Sequence, residues 1–164
     1  MSLVCQPETR RAALGRPNRS ADARPSAIVV GGGANALSIA RSLGRRGIPV
    51  YAVNEPEAHV CHSRHARWLA EAGASPQSWE QWLTGPQSDA WRGSVLLAAS
   101  DAAIKLILDH RPVLAEKFIL DICNPRAQAA MLNKLGTYQA AVAAGVPTPR
   151  FWTAKTLAEL ENIR

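Results

Sequence analysis

Three groups of residues in this sequence are of the right type, at the right spacing, to do chemistry. The first is Gly31-Gly32-Gly33-Ala34-Asn35, which follows the apolar run Ala27-Ile28-Val29-Val30 and opens a helical pattern. Glycines tolerate positive φ and, having no Cβ, let a ligand approach the backbone. Where they lead into a helix, free N–H groups and the positive end of the helix dipole together favour an anion. The turn is therefore expected to hold a carboxylate or phosphate on Gly32, Gly33, Ala34 and Asn35, with Asn35 also suited to capping the helix. Gly31-x-Gly33-x-x-Ala36 also matches the dinucleotide fingerprint, and Glu55 lies near where a ribose-binding acid would stand. No Gly-x4-Gly-Lys-Ser/Thr occurs, which excludes a Walker-type phosphate loop.

The second group is His59, Cys61, His62 and His65, four potential metal ligands within seven residues. Zinc is the chemistry they suggest, but Arg64 and Arg67 set positive charge beside any cation and no second Cys stands at a standard spacing. The expectation is a solvated loop with no metal. Cys61 as a nucleophile would need a base and an oxyanion site that the sequence does not supply. The third group is Ser100-Asp101, at a strand-to-helix junction where α/β folds place ligand-contacting groups and where the same residues commonly cap helices.

The elements that must position these groups follow from periodicity. Residues 26–53 read as strand, helix and strand: Ala36, Ile39, Ala40 and Leu43 share a helix face, Gly47 stops the helix, and 48–53 forms the second strand. A short third strand is expected at Trp68-Leu69-Ala70, a helix capped by Ser75 and opened by Pro76, a strand over 94–99, a helix after Ser100, and a strand over 117–120. This alternation predicts an α/β fold, a Rossmann-like parallel sheet with helices on both faces. Asn124-Pro125 is expected to open one longer helix ending at Gly145. Val146-Pro147-Thr148-Pro149 then forces extended backbone into a strand at Phe151-Trp152-Thr153, and Thr156-Leu157-Ala158-Glu159 has capping-box spacing.

The 164 residues suit one ordinary domain, and no apolar run is long enough for a bilayer span. The net charge is +6, with five arginines in residues 1–25 against Glu8 and Asp22. That segment has no apolar h-region and reads as a disordered basic leader, for which no specific nucleic-acid partner is expected. Cys5, Cys61 and Cys123 form no Cys-x-x-Cys and suit a reducing cytoplasm.

Several of these pieces occur in a familiar order: the glycine turn, the strand at 49–53, Ser63-Arg64, Ser100-Asp101, then Leu132-Asn133-Lys134 followed by Gly145-Val146-Pro147-Thr148-Pro149. In that order residues 26–164 resemble the ATP-grasp superfamily, most of all its carboxylate–amine ligase branch near D-aspartate ligase and carbamoyl-phosphate-synthase-like proteins. The resemblance departs at Asn133, where the family usually has Asp, and at Ala102, where it usually has an acid. It implies a pre-ATP-grasp domain over 26–123 and a truncated beginning of an ATP-grasp domain over 124–164. It further implies ligation through an acyl phosphate, with ATP and Mg2+ serving the complete enzyme and a small carboxylate or amine as substrate. By resemblance Ser63 and Arg64 join the substrate-binding set and Lys134 reaches the nucleotide phosphates. The metal ligands and adenine-clamping strands would lie beyond Arg164, so this chain alone is expected to be inactive, with the cut domain face favouring self-association or a partner chain. A nicotinamide-dependent oxidoreductase domain and a non-catalytic binding module are the competing readings.

Overall fold

A computed structural model describes residues 24–161, which form two compact units, 24–120 and 121–161. The leader read over residues 1–25 lies outside the described residues apart from Arg24 and Pro25, both exposed. In the first unit β1 (Ala27–Val30), β2 (Val50–Val53), β3 (Arg67–Trp68) and β4 (Val95–Ala98) form one sheet in the order β3-β2-β1-β4, and every pairing is parallel. Parallel strands need crossovers, which α1 (Ala34–Gly44) supplies between β1 and β2, and α2 (Pro76–Thr84) between β3 and β4. After β4 come α3 (Asp101–Asp109) and α4 (Arg111–Ala115). The protein is α/β, consistent with a Rossmann-like fold.

Both faces of the sheet are covered, so its central strands read as unbroken apolar runs and not as alternating ones. All four residues of β1 and of β2 are buried. On one face Ile28, Val30, Tyr51 and Val53 pack with Trp79, Trp82 and Leu83 of α2 and with Leu106 and Ile107 of α3. On the other, Val29, Val50 and Ala52 meet Ala36 and Ala40 of α1, with Ile39 and Leu43 half-buried beside them. Trp91 fills the first core with its ring 5.1 Å from that of Trp82 and edge-on to Tyr51 at 6.1 Å.

Local signals set the helix ends. Ser75 caps α2 in a capping box whose second member is Ser78, with Pro76 at the first helical position. Two short strands depart from expectation. The third strand is Arg67–Trp68, one residue earlier than read, and Ala70–Ala72 is a 3-10 turn. The segment 117–120 makes a single parallel bridge, Ile119 to Val95, in place of a full strand. A buried lysine near the first unit's rim holds that segment down: Lys117 Nζ donates to the carbonyls of Thr84 (3.1 Å) and Gly85 (2.6 Å) and pairs with Asp89 at 3.0 Å.

The second unit corrects two expectations. The longer helix is broken into α5 (Pro125–Met131) and α6 (Lys134–Ala143), because the Asn133 side chain accepts from the N–H groups of Leu135 and Gly136 and caps a new start. Phe151-Trp152-Thr153 is not a strand: without a neighbouring edge to pair with, extended backbone gains no ladder, and the Phe151 ring stacks instead on Tyr138 at 5.3 Å. Thr156 does cap α7 (Leu157–Glu161), its hydroxyl accepting from the Glu159 N–H at 3.2 Å. The Glu159 carboxylate reaches the N–H of Lys155, one residue before the cap. No described residue of this unit is buried, and Met131, Trp152 and Leu157 are among its exposed apolar side chains.

Candidate functional site

Strand order reverses beside β1: β2 and β3 lie to one side and β4 to the other. In open α/β sheets the crevice outside the carboxyl ends of the strands at such a switch point is where ligands sit. Here the turn after β1 meets the turn after β4. Gly31 and Gly32 adopt φ of +65° and +80°. A methyl group at Gly31 would strike the Ser100 hydroxyl and lie 3.3 Å from the Trp79 ring, and one at Gly32 would strike the Ala99 carbonyl. These two glycines thus serve close approach of protein to protein. Gly33 differs, for nothing lies within 4 Å of the position its Cβ would take.

Gly33 is the N-cap of α1 and, having no side chain, leaves the first-turn amides without a side-chain partner. Asn35 is exposed in the first turn and does not cap the helix, so its expected structural role is not observed. Ser100 does cap α3, accepting from the Ala103 N–H at 3.3 Å, and Asp101 is exposed in the first turn of that helix. Gly32, Gly33, Ala34, Asn35, Ser100 and Asp101 therefore share one end of the sheet.

The residue that fixes this turn was not singled out by sequence. Asn54, just past β2 and 4% exposed, donates from Nδ2 to the Gly32 carbonyl at 2.7 Å, and its Oδ1 accepts from the Glu55 N–H at 2.9 Å. Its own carbonyl accepts from the Trp68 indole N–H at 3.2 Å. A polar residue immediately after an apolar strand is the available signal, and it is one that any exposed loop start would also give.

Ser63 and Arg64 belong to a different place. The segment His59–His62 is a 3-10 turn packed against α1, not an irregular loop. With Ser63, Arg64 and His65 it faces Leu37 and Arg41 of α1 and Arg45 at the helix C-cap across an open groove of about 690 Å³. The Cys61 thiol donates to the Glu55 carbonyl at 3.3 Å and His62 Nε2 donates to the Pro56 carbonyl at 2.9 Å. Burial, with the nearby Glu57 charge adding to it, pushes the Cys61 thiol from 9.0 up to about 11, so it is a poor thiolate ligand and a poor nucleophile. Among the described residues no three His, Cys, Asp or Glu side chains are grouped to hold a metal ion.

Lys134 is exposed at the first position of α6 in the second unit. For ATP and Mg2+ the described residues of that unit offer Lys134 and Arg126 at helix starts, and no three of their carboxylates are grouped to hold a metal ion. They do not compose a nucleotide and metal site, and no chemical step is assigned through either group. No helix among the described residues is long and apolar enough to cross a membrane.

No family model matches the chain, and no curated protein is significantly similar to it.

Proposed function

We propose that this chain is the substrate-binding N-terminal part of an ATP-dependent carboxylate–amine ligase. The observation that carries the reading is the uncapped, sterically open start of α1 at the switch point, beside the capped start of α3. Backbone amides around Ala34 and Asn35 suit a substrate carboxylate, and the exposed Asp101 suits a substrate ammonium group. Binding both ends of a small amino acid would orient its carboxylate for activation by a neighbouring domain, and positioning is a large part of such catalysis. The second unit supports the reading in a coarser way, since its exposed apolar side chains are what an incomplete domain or a partner-covered face would show. Phosphoryl chemistry is not assigned to the described residues. The purified chain is expected to bind an amino acid such as D-aspartate saturably in calorimetry, and to release no phosphate from ATP and Mg2+ above a mock-purified control. Absence of binding by any small carboxylate or amine ends the reading.

A nicotinamide-binding role rests on a separate observation: Ala36 is fully buried where the dinucleotide fingerprint needs a small residue against the sheet, and Glu55 is exposed just past β2. Titration with NADH separates the two readings, because energy transfer from tryptophan to bound reduced cofactor is expected only of the second.

A further inference from the structure

We propose that the groove between α1 and residues 59–65 is a binding site for a small molecule carrying two or more phosphate groups. Three arginines line it, Arg41 from the last turn of α1, Arg45 from the C-cap position just after it, and Arg64 from the opposite wall. None of the three pairs with a carboxylate among the described residues. The planar guanidinium fork matches phosphate oxygens two at a time, which distinguishes a triad of arginines from a diffuse cationic surface. Arg64 is steered by its neighbour, its Nε donating to His65 Nε2 at 3.4 Å.

The wall carrying Arg64 is built and not merely draped. The His65 N–H donates to the Ser63 hydroxyl at 3.2 Å, closing a local turn. His65 packs so closely on α1 that a methyl at Gly44 would lie 2.9 Å from its Cβ. The charge is also local. Residues 26–120 carry nine Lys and Arg against eight Asp and Glu, whereas 41–67 alone carries five arginines against two glutamates. Neither Glu55 nor Glu57 lines the groove. A volume of about 690 Å³ falls among those of small-molecule sites, and three arginines around one short groove fit a compact polyanion better than a nucleic-acid strand, which is tracked by an extended basic stripe. The site is lined by none of the switch-point residues, so it stands or falls independently of the proposed ligase role.

The test is calorimetric titration of the full chain with sodium tripolyphosphate at low salt, with sodium sulfate at matched ionic strength as the reference anion. Saturable one-to-one binding is expected, weakened about 3- to 10-fold by each of Arg41→Gln, Arg45→Gln and Arg64→Gln, and lost in the triple variant. Arg46→Gln is the control: Arg46 bonds to Ser42 outside the groove, at 3.0 Å to its carbonyl and 2.9 Å to its hydroxyl, and its loss is expected to leave affinity within twofold. Unchanged circular dichroism of the triple variant establishes that a loss is local. Binding that survives the triple variant, or that Arg46→Gln weakens as much as Arg41→Gln, overturns the proposal. So does a labelled single-stranded oligonucleotide that binds more tightly than tripolyphosphate and loses that binding with the same three arginines.

Discussion

Replacing Gly32 by alanine should damage the switch point far more than replacing its neighbour Gly33, and the difference can be worked out from local geometry. At φ +80° an alanine in the left-handed region is disfavoured by about 1–2 kcal/mol. Its methyl would collide with the Ala99 carbonyl oxygen and lie 2.8 Å from both the Ala99 carbonyl carbon and its Cβ. The obstacle is backbone on one side and a buried side chain on the other, so relief means displacing the turn after β1 or the turn after β4, and overpacking of that kind costs about 1–3 kcal/mol. The reduced freedom of the unfolded chain returns about 0.4–1 kcal/mol. The net destabilisation is therefore about 1–4.5 kcal/mol, against the roughly 5–15 kcal/mol that holds a domain folded. Gly33 (φ −98°, ψ −105°) has open space around its Cβ direction, so Gly33→Ala meets no packed neighbour and is expected to cost less than Gly32→Ala. Urea unfolding followed by tryptophan fluorescence reads the first unit, because Trp79, Trp82 and Trp91 all lie in its core. A Gly32→Ala midpoint close to the parent's, or equal losses at the two glycines, would refute the argument.

Other consequences are as direct. Asn54→Leu leaves the Gly32 carbonyl and the Glu55 N–H without their partner and should destabilise the first unit by about 1–3 kcal/mol in the same unfolding assay. Lys117→Met withdraws the buried ammonium from two carbonyls and from Asp89, and is expected to cost about 2–4 kcal/mol by thermal melting. The Lys117 hydrogen bond first, and then the Lys117 and Arg92 charges, hold the Asp89 carboxyl below the ordinary value of 3.8. Its contribution is thus complete above that value and lost as the pH falls through the lower folded one, so Asp89→Asn should flatten the acid limb of stability against pH below about pH 4. Cys61, pushed from 9.0 to about 11, holds roughly a hundredfold less thiolate than an ordinary cysteine at a given pH near neutrality. In a Cys5→Ser, Cys123→Ser background its alkylation by iodoacetamide at pH 7.5 should be slower by about that factor than in the urea-unfolded chain.

Sequence patterns expose the fold where one physical demand dominates. The fully buried strands β1 and β2 need unbroken apolar runs, the half-buried β4 follows the same pattern, and each stands within a residue or two of where such a run occurs. Ser75 and Ser100 announce their helices because a short hydroxyl side chain in extended backbone serves orphan amides there. The break between α5 and α6 was hidden because Leu132 and Leu135 keep a helical apolar spacing on either side of Asn133, and an Asn inside such a pattern does not declare whether it points to solvent or back to the chain. Pairing decided the rest. Ile119 and Phe151 both sit in strand-like stretches, and only Ile119 found a neighbouring edge. The candidate site divides the same way. Its glycine turn and Ser100 were legible as local chemistry, whereas the inward turn of Asn54 and the shared groove of Arg64 with Arg41 and Arg45 join residues nineteen or more apart. No local spacing encodes them.

The central claim is that the open start of α1 at the switch point holds the carboxylate of a small substrate. Its most direct measurement is a two-dimensional amide NMR titration of the full chain with D-aspartate, and in parallel with NADH. The account predicts saturable D-aspartate shifts concentrated in the amides of Gly33, Ala34 and Asn35 and in the first turn of α3, reduced by Asn35→Ala and Asp101→Asn. No shift at those amides with D-aspartate or other small carboxylates, or saturable NADH shifts running from Gly31 to Glu55, would contradict it.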